Sequence, residues 1–319
     1  MVQEIFNSKI FSAATGSGLG ENVFSLSRRC IVAALALCFV FTASSSFAQE
    51  HESITPAAKS FKLGAFDISV LRDGALEIPN NGTIFGLNAT PAEVADVLHK
   101  AGADTIHLDI DALLVHIPNH IVLIDTGYGP AGHGLLPESL AKADVAPNEV
   151  TDILITHSHP DHIGGLVDAQ GQLAFPKAAI RMSATEWAFM QGNQKLAKEV
   201  AVIKGQVQTF EPGQPVLPGI TPVALPGHTP GQTGYEIDSQ GQKLLDICDI
   251  AHSSIVSLAR PDWTIAWDAD KQEGVQTRQH ELQLLATNHE LMFAPHFPFP
   301  GVGHIEQAGK GYIFKPGLP

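Results

Sequence analysis

The hydrophobic pattern changes period several times along this chain. Phe61-Lys-Leu-Gly-Ala-Phe-Asp-Ile-Ser-Val-Leu71 alternates apolar and polar positions with a break at Gly64, which predicts two strand segments. Pro91–Ala101 has helical spacing, with Thr90 placed as N-cap and Pro91 in the first turn. Apolar runs at Ala112–Ile117 and Ile121–Ile124 flank Pro118-Asn-His120, a strand–turn–strand signal whose second strand runs into Asp125-Thr-Gly127. Val150–Thr156 reads as a buried strand, and Pro160 and Asp161 suit the first turn of a helix after it. Further on the pattern predicts a helix over Ala184–Val202. It also predicts a hairpin whose strands flank Asp238-Ser-Gln-Gly241, a helix over Asp268–Asn288 and a closing strand at Gly311–Lys315.

Strands and helices are interleaved, with no low-complexity stretch, short repeat or linker after the N-terminal region. That implies one mixed α and β domain over residues 49–319. Residues 1–48 read differently. Arg28-Arg29 precedes an apolar run from Cys30 to Phe41, and Ser46-Phe-Ala48 supplies a small-residue end. This is the layout of a signal peptide. The run is too short and too interrupted to serve as a stable membrane anchor, so cleavage after Ala48 and a periplasmic or secreted location are expected. Ser27-Arg28-Arg29 is a partial twin-arginine signal. Of the three cysteines only Cys248 lies outside the signal, so no internal disulfide is expected. A formal net charge of −14 argues against nucleic acid as a partner, because phosphate backbones are held by Lys and Arg.

The chemistry is concentrated in a few short stretches. Ile155-Thr-His-Ser-His-Pro-Asp-His-Ile-Gly-Gly165 offers His157, His159, Asp161 and His162 within six residues. His228 sits in Leu225-Pro-Gly-His-Thr-Pro-Gly, Asp249 ends Asp246-Ile-Cys-Asp249, and His296 lies in Phe293-Ala-Pro-His-Phe-Pro. Imidazoles and carboxylates bind Zn²⁺, Mn²⁺, Fe²⁺ or Co²⁺. Seven such ligands exceed one tetrahedral ion and suit two divalent metal ions per chain, with zinc the first expectation. His157 and His159 lie two apart on a chain leaving a strand, so both point to one side, and His228 can join them on one ion. Asp161, His162 and His296 can hold the second, and Asp249 can bridge the pair. A water shared by two ions is acidified to a pKa of roughly 7, which supplies hydroxide without a Ser or Cys nucleophile.

The His-Ser-His-Pro-Asp-His run with Gly164-Gly165-Leu166, followed by His228, Asp249 and His296, resembles the metallo-β-lactamase-fold hydrolases. The resemblance covers essentially all of residues 49–319. It implies an αββα sandwich of two mixed β-sheets flanked by helices. His296-Phe-Pro-Phe-Pro-Gly-Val-Gly-His-Ile305 and Gly309-Lys-Gly-Tyr-Ile-Phe-Lys-Pro316 resemble the exported methyl parathion hydrolase branch, which implies two metal ions and organophosphate triesterase activity. The resemblance also implies that Asp125 holds a ligand in place. Two positions depart from family patterns. N-acyl homoserine lactonases of this fold carry Tyr three residues after the bridging Asp, and this chain has His252 there. Cys248 stands where Gly is more usual.

By this reading Asp161, Asp249 and His252 are the catalytic candidates, with His252 as an acid, a base, an extra ligand or simply a pocket wall. Asp268, Asp270 and Arg278 read as a structural polar cluster at a helix start, and His304 as structural. Thr151–Phe175, Ile220–Gln242, Leu244–Ala259 and Leu291–Gly309 contain no Lys or Arg. The expected substrate is therefore small, neutral and hydrophobic, against a wall supplied by Phe297, Phe299, Trp187 or Trp263, although tryptophans are more often core. Phosphotriesters and carboxyl esters lead; N-acyl homoserine lactones and a non-catalytic metal-binding role are the alternatives. A homodimer is compatible with the sequence.

Overall fold

The computed structural model describes residues 54–319. The signal expected at residues 1–48 lies outside the described residues. Two β-sheets form the centre. The first contains β1 (Ala58–Leu63), β2 (Phe66–Ile78), β3 (Ile106–Ile117), β4 (His120–Ile124), β5 (Asp152–Leu154), β6 (Ala179–Ser183) and β7 (Val207–Phe210), in that order across the sheet. It is antiparallel from β1 to β4 and parallel from β4 to β7. The second contains β8 (Ile220–Ala224), β9 (Thr233–Ser239), β10 (Gln242–Asp246), β11 (Met292–Phe293), β12 (Val302–Ala308) and β13 (Gly311–Pro316), also in sequence order. Only its β10–β11 pair is parallel.

Alternation along the strands explains the layering. Leu113, Val115, Val122 and Ile124 share an apolar inter-sheet core with Ile220, Tyr235, Ile237 and Phe293 of the second sheet. Their neighbours Ala112, Leu114 and Leu123 point the other way. They pack under α2 (Leu136–Lys142), α4 (Ala184–Gly192) and α5 (Ala197–Ile203) through Leu136, Leu140, Met190 and Ile203. Leu245, Ile247, Met292 and Ile305 cover the outer face of the second sheet beneath Leu282 and Leu285 of α7 (Lys271–Asn288). A satellite core joins Val94 and Leu98 of α1 (Pro91–Lys100) to Ile106, Leu108, Trp263 and Ile265. The result is the αββα sandwich of two mixed sheets, with the ligand-bearing loops at strand ends.

Strong local signals match the observed elements. Thr90 forms a complete capping box with Glu93, and Pro91 opens α1. Elsewhere the boundaries move. The helix expected over 184–202 is two helices, because the Asn193 side chain accepts from the Lys195 amide and starts a new turn between them. The β9–β10 turn is Gln240-Gly241 alone, both at positive φ (57° and 80°), as a two-residue hairpin loop requires. α7 starts at Lys271 with Asp270 as its cap, not at Asp268. The regular part of the strand expected over 150–156 is only Asp152–Leu154.

Candidate metal centre

The site forms where strand ends from both sheets meet. β5 ends at Leu154, and the next residues lead into His157 and His159 before the short helix α3 (Pro160–Ile163) carries Asp161 and His162. The loop after β4 braces this motif. Asp125 adopts positive φ (61°), accepts from the Thr156 amide and hydroxyl (2.9 and 2.7 Å), and lies 2.7 Å from His162 Nδ1. The amide and hydroxyl of Thr126 both donate to the His162 carbonyl. Glycine is needed at two close approaches: a Cβ on Gly129 would stand 2.1 Å from the Gly164 carbonyl oxygen, and one on Gly165 2.1 Å from that of Thr126.

His228 comes from the β8–β9 loop. Its Nδ1 lies 3.0 Å from Asp268 Oδ1, and its Nε2 faces His159 Nδ1 at 2.8 Å and Asp249 Oδ2 at 3.3 Å. Asp249 follows β10 and occupies the centre. One oxygen is 3.4 Å from His162 Nε2 and 3.2 Å from His296 Nε2; the other is 3.6 Å from His157 Nε2 and 3.1 Å from His252 Nε2. His296, after β11, is oriented by its Nδ1 at 2.9 Å from the Asp109 carbonyl. All seven expected ligand side chains therefore converge. Among the described residues they sort into His157, His159, His228 and Asp249 on one side and Asp161, His162 and His296 on the other. A third grouping, Asp249, His252 and His296, brings in the residue at the departed position.

The electrostatics follow from crowding and burial. Burial pushes His157 well below the ordinary imidazole range and His159 to about 3, with neighbouring imidazoles adding to the effect. Burial also pulls on His228, but its contacts with Asp249 and Asp268 outweigh that and hold it at about 9. For Asp249, burial opposes ionisation, and the imidazoles of His296, His162, His157 and His252 overcome it and keep the carboxyl well below the usual range. His252 is 1% exposed and drawn to about 4 by burial, so it is uncharged at neutral pH. Its ring stacks on His296 at 5.4 Å.

Several buried atoms here lack a hydrogen-bond partner: His157 Nε2, His162 Nε2, Asp249 Oδ1 and both nitrogens of His252. An orphaned buried polar atom costs about 1–3 kcal/mol, so a cluster of them facing one another calls for a cation. Imidazoles with carboxylates are the donor set of divalent transition metals, which fits. His159 and Asp161 are the ligands that keep some exposure, so the accessible side of the centre lies there.

Comparison with known proteins gives the family. A family model described as the metallo-beta-lactamase superfamily matches residues 107–274, more than half of the chain. The chain belongs to that superfamily. Mouse metallo-beta-lactamase domain-containing protein 1 is 47% identical over 62 residues, 19% of this chain and 21% of its own length. The Xenopus laevis protein of the same name is 34% identical over 132 residues, 40% of this chain and 48% of its own. The matched segments thus span less than half of these relatives. Two solved structures match more completely. AidC, a dizinc quorum-quenching lactonase in complex with a product, superposes with a TM-score of 0.78 at 29% identity, over 82% of this chain and 98% of that one. AbOPH, a hydrolase of the beta lactamase superfamily, gives 0.76 at 29% identity, over 83% and 99%.

The apolar wall differs from expectation. Phe297 is fully buried and packs edge-on against Phe314, and Phe299 lies under the Arg72 guanidinium. Trp187 packs on the α-helical side of the first sheet, and Trp263 lies buried beneath Arg260. The rings that meet the centre are Trp267 and Phe85, at 5.2 and 6.2 Å from His252. Asp268 and Arg278 are more than a helix-start cluster. Arg278 is fully buried, donates to Asp268 Oδ2 at 3.1 Å and to the Ile250 carbonyl at 2.6 Å, and so ties the supports of His228 and Asp249 together. The sequence places Asp268 and Arg278 in one cluster, but no local pattern announces the link to Ile250, 28 residues away.

Proposed function

We propose that this chain is an exported hydrolase that holds two divalent metal ions, zinc first, and cleaves small, neutral, hydrophobic ester-like substrates. The observation that carries the proposal is the seven-ligand cluster around Asp249, accessible at His159 and Asp161 and bordered by His252, Phe85 and Trp267. Ions bound there supply Lewis-acid polarisation of a substrate oxygen and acidify water. The protein's own part is to orient the imidazoles, to keep Asp249 ionised between the two ligand groups and to offer rings beside them. Among the described residues, every ion pair made by the seven ligands and His252 is a His–Asp contact. Arg278 is committed to Asp268, Arg260 to Asp262 and Arg72 to Asp109. Among the described residues no Lys or Arg pairs with the ligands, which favours neutral esters over β-lactams.

Carboxyl esters, lactones and phosphotriesters all fit this class. The lactone reading draws support from the near full-length likeness to AidC. The test is a panel on protein of measured metal content: aryl esters, acyl homoserine lactones of graded chain length, paraoxon, and a penicillin. The expected order of kcat/KM puts neutral substrates far above the penicillin. A penicillin cleaved as well as the best neutral ester refutes the substrate class. Absence of turnover across the panel at full metal loading supports a non-catalytic metal-binding role instead. Export is tested separately by N-terminal sequencing of the natural protein, expected near Gln49.

A further inference from the structure

Glu186, the third residue of α4, is fully buried although it carries a carboxyl group. Its Oε1 accepts from the Ser158 amide at 2.7 Å and the Ser158 hydroxyl at 2.6 Å. Its Oε2 accepts from the Thr229 hydroxyl at 2.6 Å and the Gly231 amide at 3.2 Å. Ser158 stands between His157 and His159, and Thr229 follows His228. The side chain therefore joins two loops that are about 70 residues apart in sequence and carry three imidazoles of one ligand group. The fit is close: a Cβ on Gly231 would stand 2.2 Å from the Glu186 amide nitrogen.

A buried carboxylate loses its hydration, a penalty of several kcal/mol, and an apolar side chain would join two loops at less expense. What an apolar side chain lacks is direction. Four acceptor contacts fix both loops in distance and orientation, so that His159 Nδ1 and His228 Nε2 face each other at 2.8 Å. The other ligand group is held by different means: Asp125 and Thr126 hold His162, and the Asp109 carbonyl holds His296. No hydrogen bond from Glu186 reaches that group among the described residues.

We propose that Glu186 is a positioning residue for one half of the centre, setting metal affinity at the His157–His159–His228 group and leaving the Asp161–His162–His296 group unaffected. This rests on reading the cluster as a two-ion centre. The test is a Zn²⁺ titration of the stripped full chain against a chromophoric chelator, with melting of the stripped protein followed in parallel. Wild type should bind in two resolvable steps. Glu186→Gln places an amide opposite the Gly231 N–H and should weaken one step about 10–100-fold while the other stays within about twofold. His296→Ala marks the other step. Thr229→Val removes one of the four bonds and keeps the shape. It should move the same step as Glu186→Gln by a smaller factor, so the inference remains testable if Glu186→Gln folds poorly. Equal movement of both steps, movement of the step marked by His296→Ala, or no movement in folded variants overturns the inference. Wild type taking up fewer than two ions instead overturns the two-ion reading beneath it.

Discussion

Replacing Arg278 with Met tests how much the buried link from α7 to the ligand loops contributes to stability. The guanidinium is fully buried and donates to Asp268 Oδ2 (3.1 Å) and to the carbonyls of Ile250 (2.6 Å), Trp263 (2.8 Å) and Pro261 (3.3 Å). Removing it leaves Asp268 with only His228 Nδ1, at 3.0 Å, as its charged partner, a loss at the low end of the about 3–5 kcal/mol for breaking a buried pair. The released carbonyls add roughly 1 kcal/mol each where water cannot reach them, and the Met side chain recovers part of the packing. The net expectation is about 5 kcal/mol, a large share of the roughly 5–15 kcal/mol that stabilises a typical domain. Urea unfolding followed by tryptophan fluorescence measures it, with wild type and variant at equal metal content. The double variant Arg278→Met with Asp268→Asn should recover about 2 kcal/mol relative to the sum of the single changes, because the stranded charge is then absent. A loss below about 1 kcal/mol, or simple additivity, refutes the argument.

Asp249→Asn should lower the affinity for the second ion and cut turnover by orders of magnitude, since Asp249 reaches both ligand groups; full activity with one ion per chain, by elemental analysis, contradicts this. His252→Leu should slow good and poor leaving groups equally, because an imidazole held at about 4 carries no charge-bearing proton at neutral pH; a steeper dependence of kcat on leaving-group pKa restores the acid role. Burial, with help from Asp125, raises Asp246 from the ordinary 3.8 to about 8, so the folded form keeps a proton that the unfolded chain releases. Stability should therefore fall as pH rises from about 4 to about 8, and Asp246→Asn should flatten that fall in pH-dependent denaturation; an unchanged slope rules the assignment out.

The ligand chemistry was legible because it is local. His157, His159, Asp161 and His162 sit on one strand–loop–helix transition, where spacing alone sends side chains to a common side. The apolar run Ala112–Ile117 likewise announced a strand, which the structure buries on both faces, and Thr90 with Pro91 announced a helix start. His228, Asp249 and His296 were identifiable by type and order, but only the tertiary structure brings them around one another. Of what holds the ligands, Asp125 was implied by the resemblance and an Asp268–Arg278 cluster by its place at a helix start, and the rest was hidden. Glu186 looks like any first-turn glutamate, Arg278 like part of a polar cluster at a helix start, and Phe297 like a pocket wall beside His296. Each takes its role from partners many residues away: Glu186 from Ser158 and Thr229, Arg278 from Asp268 and Ile250, Phe297 from Phe314. Sequence periodicity reports which face of an element is apolar. It carries no record of which buried polar group will meet which loop, because that is settled by the packing of two sheets against each other and of the helices upon them.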